Sequence, residues 1–246
     1  MTASSKLRSS AFGRGLAGAA AMAAGSSGYA AIVTPALPPD LPANVGTTTG
    51  PVSWDVDGGG TDFVFNFRFP NSTGATGVVW QANMNPVTAA GNAVAGYSGP
   101  FINYATNFIA NSVIGSNIPN SGANFALSWR SAAQVTMGSV YRSGGVPSAY
   151  GGFGNGAPPG PGHTNPGGGQ PMSDTGFVGF RLGSGANAKY GWLQLRTNST
   201  VGIDFIAAGY SDTPGMGVFA GDGEIPEPAS LSLLALGAAA LLRRRA

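Results

Sequence analysis

Hydrophobic residues recur at every second position in several short stretches of this chain. In 62–69, DFVFNFRF, Phe63, Phe65, Phe67 and Phe69 fall on one side and Asn66 and Arg68 on the other. That period of two is the mark of a half-buried strand. It returns in 125–130, where Phe125, Leu127 and Trp129 oppose Ser128 and Arg130, and in 201–207, where Val201, Ile203, Phe205 and Ala207 oppose Asp204. Less regular β-type runs cover 52–56, 77–82, 134–142, 176–182, 190–197 and 216–220, and nearly all the joins carry Gly, Asn, Ser or Pro. Many short strands with such joins predict one all-β domain over about 51–222, an antiparallel β-sandwich or jelly-roll-like body.

Three stretches depart from the pattern. Residues 31–50 carry Pro35, Pro38, Pro39 and Pro42 and read as an extended linker leading into the body. Residues 101–118, FINYATNFIANSVIGSNI, leave room for a short helix. Residues 143–172 hold 11 glycines and 6 prolines, a composition that predicts a long surface loop with no core of its own.

The two ends differ again. Residues 1–30 begin with Lys6, Arg8 and Arg14, pass through GLAGAAAMAAG and reach Gly28-Tyr29-Ala30. A cationic start, an apolar middle and a small-residue end predict a secretory signal peptide cut after Ala30, with an N-terminal extension as the alternative. At the other end, Pro226-Glu227-Pro228 precedes an uncharged run from Ala229 to Leu242, then Arg243, Arg244 and Arg245. As a helix the run rises about 21 Å against a hydrocarbon core of about 30 Å, short for a membrane span. The arginines would stay on the cytoplasmic face and put the preceding body on the far side. A final core helix is the competing reading, but core helices carry polar residues opposite their apolar stripe, and here no charge occurs before the arginines.

Charge changes the picture once the ends are set aside. The whole chain is formally +2, yet 31–225 holds six basic residues against nine acidic, a balance of −3. A nucleic-acid partner needs a basic face, so that class is excluded. With no cysteine, there is neither a disulfide framework nor a thiolate metal site, and stability must come from packing.

Pro-Glu-Pro, a short apolar run and a closing arginine cluster resemble the PEP-CTERM sorting signal of exported bacterial proteins. The resemblance implies recognition of Pro226, Glu227 and Pro228 by an exosortase. It also implies export through the Sec machinery, a transient hold in the inner membrane by helix 229–242, and transfer of the body to the cell surface or extracellular polymer. Gly179-Phe180-Arg181, Tyr190-Gly191-Trp192 and Asp212-Thr213-Pro214-Gly215 resemble, in order, a module that precedes the tail in such proteins, and no activity comes with that module.

One loop has candidate metal chemistry. In WDVDGGGTDF, residues 54–63, Asp55, Asp57 and Asp62 offer hard oxygens on a tightly turning backbone, the donor type that Ca²⁺ takes. The loop resembles the DxDGDGxxDF loops of exported β proteins, but Gly59 and Phe63 stand where that pattern continues. A glycine-rich hairpin whose aspartates bond their own backbone explains the same residues without an ion.

Catalysis finds little support. His163 is the sole histidine and lies in the glycine-proline loop, with nothing to hold it against a nucleophile. Asp174, Asp204 and Asp212 have no distinguishing spacing. The expectation is a non-enzymatic exported surface or extracellular-matrix protein without a cofactor, associated with exopolysaccharide or biofilm. A lectin-like carbohydrate-binding module is the alternative, and a polysaccharide hydrolase is third.

Overall fold

The computed structural model describes residues 31–99, 102–118, 127–132, 134–154 and 174–221. The segment 1–30 with Ala30, the loop residues 155–172 with His163, Phe125, and the tail with its expected helix 229–242 lie outside the described residues.

Strands dominate. They are β1 (Ile32–Val33), β2 (Thr47–Trp54), β3 (Phe63–Phe69), β4 (Gly77–Pro86), β5 (Ala93–Ser98), β6 (Asn103–Ala105), β7 (Val113–Ile114) and β8 (Ser128–Arg130). The rest are β9 (Val135–Ser143), β10 (Val146–Tyr150), β11 (Thr175–Leu182), β12 (Lys189–Asn198), β13 (Gly202–Ser211) and β14 (Val218–Phe219). One hydrogen-bonded path runs β1-β13-β12-β11-β5-β6-β9-β4-β3-β2, with β8 on β5 and β10 on β9, while β7 and β14 pair separately. The sheet is mixed. Antiparallel pairing holds throughout except that β6 runs parallel to β9, Asn103 beside Val135 and Tyr104 beside Thr136.

The turning point of this path is β5. Val94 pairs with Phe180 on one edge and Arg130 on the other, while Gly96 pairs with Ala105 and Ser128. Since β8 takes one edge from Val94 to Gly96, β11 and then β6 must share the other. The start of β5 therefore belongs to the arm β11–β12–β13 and its end to the arm β6–β9–β4–β3–β2. Five of its six residues are buried, so no alternation marks it in the sequence.

The two arms meet through aromatic rings. In β3, Phe63, Phe65, Phe67 and Phe69 are all buried while Arg68 is exposed, as the alternation predicts. Phe65 meets Phe205 of the opposite arm at 4.8 Å between ring centres, and Phe180 lies edge-on to both Trp54, at 5.3 Å, and Phe63, at 5.5 Å. Such tilted pairs add about 0.5–1.5 kcal/mol beyond the area they bury.

β11 and β12 are buried on both faces. Val178, Phe180, Leu193 and Leu195 join the core between the arms, whereas Phe177, Tyr190 and Trp192 join a second core with Tyr104, Phe108, Ile114 and Val218. The tripeptides around Phe180 and Gly191 now have a physical reason. These two residues are direct cross-strand partners, and a methyl group on Gly191 would collide with the Phe180 ring.

Several expectations change. Residues 102–118 hold no helix. They form β6 and β7, with a bridge between Phe108 and Phe177, because they roof the second core with extended chain. The first part of the expected loop is also ordered: β10 forms a hairpin with β9 and Phe153 is fully buried. In β13 the alternation breaks at a bulge. Leu195 pairs with Phe205 and Gln194 with Ala207, leaving Ile206 unpaired and 44% exposed. The extra residue turns Ala207 to the second core and brings Ala208 and Tyr210 to the first. The proline-bearing lead-in is docked along β13: β1 pairs with it, Leu41 bridges Ile203, and the Trp54 indole donates to the Ala36 carbonyl at 2.7 Å.

The seam between the arms predicts that Phe180→Ala lowers unfolding free energy by about 3–5 kcal/mol, the range for emptying a packed aromatic site. Gly191→Ala should cost about 1–3 kcal/mol through overpacking. Urea titration of both variants checks this, and losses below about 1 kcal/mol for Phe180→Ala would show that the seam does not hold the arms together.

Candidate functional site

The acidic loop joins β2 to β3 and brings together oxygens of Asp55, Asp57 and Asp62, all within 4.8 Å of one another. Asp55 and Asp57 are exposed and Asp62 is buried. Each carboxylate accepts a backbone N–H of the loop itself. Asp55 Oδ1 accepts from Gly58 at 2.8 Å, Asp57 Oδ1 from Gly59 at 3.2 Å, and Asp62 Oδ2 from Val56 at 2.8 Å. Gly58 and Gly60 have positive φ, so the run of glycines lets the backbone curl around these acceptors.

Asp62 does more than shape its own loop. Its Oδ1 accepts from the Asn92 amide at 2.9 Å, and the Asn92 oxygen accepts from the Gly183 N–H at 2.9 Å. Asn92 is 1% exposed. This buried carboxylate and amide tie together the β2–β3 loop, the 3-10 turn Thr88–Ala90 before β5, and the turn after β11. Nothing in the sequence pattern singles out Asn92, because it is one asparagine among many in an uncharged stretch.

Burial pushes the Asp62 carboxyl above the usual aspartate value, with Asp57 and Asp55 adding repulsion while the Val56 and Asn92 donors pull the other way. Tyr210 of β13 is also raised, chiefly by burial and then by Asp57, Asp212 and Asp62. Lys189 of β12 lies over the Tyr210 ring at 5.8 Å and 4.0 Å from Asp57, so the acidic loop faces a cation on the opposite arm. An exposed contact of this length is worth little.

As a cation site the loop has the right charge and offers three carboxylates. Calcium takes six to eight oxygens at about 2.3–2.6 Å. Here both Asp62 oxygens are engaged by protein donors, one oxygen of each remaining aspartate accepts from the loop, and Lys189 already faces Asp57. The geometry is that of a latch built from carboxylates and backbone.

The other acidic candidates stand apart. Asp204 pairs with its cross-strand neighbour Arg196 at 2.8 Å, and Asp174 accepts from the Asn198 amide at 2.9 Å. The aromatics follow the same pattern of internal use: Trp54, Trp80 and Trp192 are each 3% exposed or less.

Beyond Gly221 the chain enters the tail, and there the comparison with known families is decisive. The PEP-CTERM protein-sorting motif matches residues 224–246. The chain carries a PEP-CTERM sorting tail. The match spans Pro226, Glu227 and Pro228 and also Arg243, Arg244 and Arg245, all outside the described residues. Among the described residues of this PEP-CTERM chain no helix is long and apolar enough to cross a membrane. No curated protein and no solved structure matches the chain.

The latch predicts a pH signature. A carboxyl whose folded pKa is raised binds its proton more readily in the folded state. Its contribution to stability therefore grows as pH falls through the raised folded value toward the ordinary aspartate range, and is lost as pH rises again. Asp62→Asn should cost about 1–3 kcal/mol at neutral pH by leaving one of two donors unmet. The deficit should widen as pH falls from neutral into the ordinary aspartate range, with calcium or a chelator present alike. Urea titrations across that range check it. A calcium-dependent rise of several degrees in the native midpoint, lost in Asp57→Asn, would make the loop an ion site instead.

Proposed function

We infer from the sorting motif that this is an exosortase-processed extracellular protein whose precursor is anchored in the membrane. We propose that the body of this chain is a non-enzymatic component of the cell surface or extracellular matrix, in contact with extracellular polysaccharide. In this reading the fold is a two-layered sandwich carried as cargo by the tail. The signal segment 1–30 directs Sec export, the run 229–242 holds the precursor in the inner membrane, and the arginines keep its end cytoplasmic. An exosortase then recognises Pro226, Glu227 and Pro228 and releases the body.

The observation that carries the proposal is the position of the motif, which starts three residues after Gly221, the last described residue of the β body. Support for a passive body comes from its side chains. Among the described residues its acidic candidates make local bonds and most of its tryptophan is packed inside, which favours a passive body over a lectin-like or hydrolytic one. The acidic latch takes no cofactor in this account.

Replacing Pro226, Glu227 and Pro228 together by alanine should leave a full-length precursor in the membrane fraction of a host that contains an exosortase, while the native chain is shortened and leaves that fraction. Immunoblotting of fractionated cells reads both. Equal shortening of the two chains would remove the assigned role of these three residues.

A further inference from the structure

The body carries an exposed apolar surface close to the point where the tail begins. β7 and β14 pair antiparallel, with Val113 opposite Phe219 and Ile114 opposite Val218. Ile114 and Val218 point into the second core and are 0% and 2% exposed. Their neighbours Val113 and Phe219 therefore share the outer face, at 46% and 42% exposure. Beside them a tight turn, in which Ser112 N–H donates to the Ile109 carbonyl, presents Ile109 at 51% exposure. This corner is firmly built. Asn111 N–H donates to the Ala220 carbonyl at 2.8 Å, and Ala220 N–H donates to the Ser112 carbonyl at 2.9 Å.

Two facts of sequence bear on what covers the corner. No charged residue occurs anywhere from Phe69 to Trp129, while Asp212 and Asp222 flank the uncharged run 213–221 and Glu224 and Glu227 follow in the tether. And Phe219 stands ten residues before Ala229, where the apolar run starts. The seven residues 222–228 between Gly221 and that run span at most about 25 Å when fully extended. While the tail is in the membrane, the corner is tethered within that distance of the bilayer, at a high effective concentration that no free partner shares. An apolar surface with a phenylalanine at its edge can enter the headgroup region while charged neighbours stay in water.

We propose that Ile109, Val113 and Phe219 form a membrane-resting face of the precursor, seated in the outer interface of the bilayer that holds the tail. Contact at this face limits the swing of the body and keeps Pro226-Glu227-Pro228 at the membrane surface until the cut. After the cut the tether is gone, and three side chains alone hold the body only weakly. The proposal rests on the reading of 229–242 as the membrane anchor.

The absence of cysteine makes the test clean. Single variants Ile109→Cys, Val113→Cys, Val146→Cys and Leu236→Cys of the full-length chain are labelled with an environment-sensitive fluorophore. Each is placed in vesicles of phosphatidylethanolamine and phosphatidylglycerol. Val146, 62% exposed on β10, serves as an apolar control elsewhere on the body. The expected result is a blue-shifted, severalfold brighter signal at 109, 113 and 236, quenched by lipids bearing headgroup or acyl-chain nitroxides, with 146 unaffected. A lipid-quenched 236 with water-like 109 and 113 overturns the resting face and leaves the anchor intact. A water-like 236 overturns both. Protection at 109 and 113 without lipid quenching means that protein, a second copy or the exosortase, covers the face, and that too overturns the proposal.

Discussion

The contact between the two arms of the sheet is the constraint on which the rest of the body depends. This chain has no disulfide, few charges and a single path of strands whose ends must be brought face to face. Phe180 does this at one point by standing against Trp54 and Phe63, and Phe65 with Phe205 does it at another. Large rings suit the task, because a few of them fill the space between layers and their edge-to-face contacts fix how the layers sit. Gly191 and the bulge at Ile206 belong to the same arrangement: one removes a side chain where Phe180 must lie, and the other turns Tyr210 toward the same core.

The latch at Asp62 is the polar counterpart of that seam. A buried carboxylate costs free energy unless its oxygens are met, and here the Val56 N–H and the Asn92 amide meet them. Three loops at one end of the sheet are thereby joined. The same aspartates that suggest an ion from sequence also serve the backbone of their own loop.

How much of this is legible in the sequence differs from element to element. β3 is transparent, because one face is buried against rings and the other is half open, so phenylalanine alternates with asparagine and arginine. β5 is opaque, since small residues buried on both sides carry no period. The segment 102–118 is equally hard to read. Its strands are two or three residues long and are held by a roof over the second core, a long-range fact that local pattern does not contain. The phase of β13 is readable up to Phe205 and reverses at a bulge that no residue announces. At the acidic loop the aspartates are visible from spacing, whereas Asn92, which completes the latch 30 positions later, becomes visible only when the chain is folded. The tail stands at the opposite extreme: its order of prolines, apolar run and arginines is a linear message, and it is read without a fold.

Body and tail are therefore two kinds of information on one chain, a packed β structure that holds itself together and an address that determines where it goes. The most direct test of that account is the intact mass of the form recovered from the cell surface or medium. The account predicts a polypeptide lacking residues 1–30 and shortened at its end within or next to Pro226-Glu227-Pro228. Recovery of the chain inside the cell, soluble and with both Met1 and the closing arginines still attached, would contradict it.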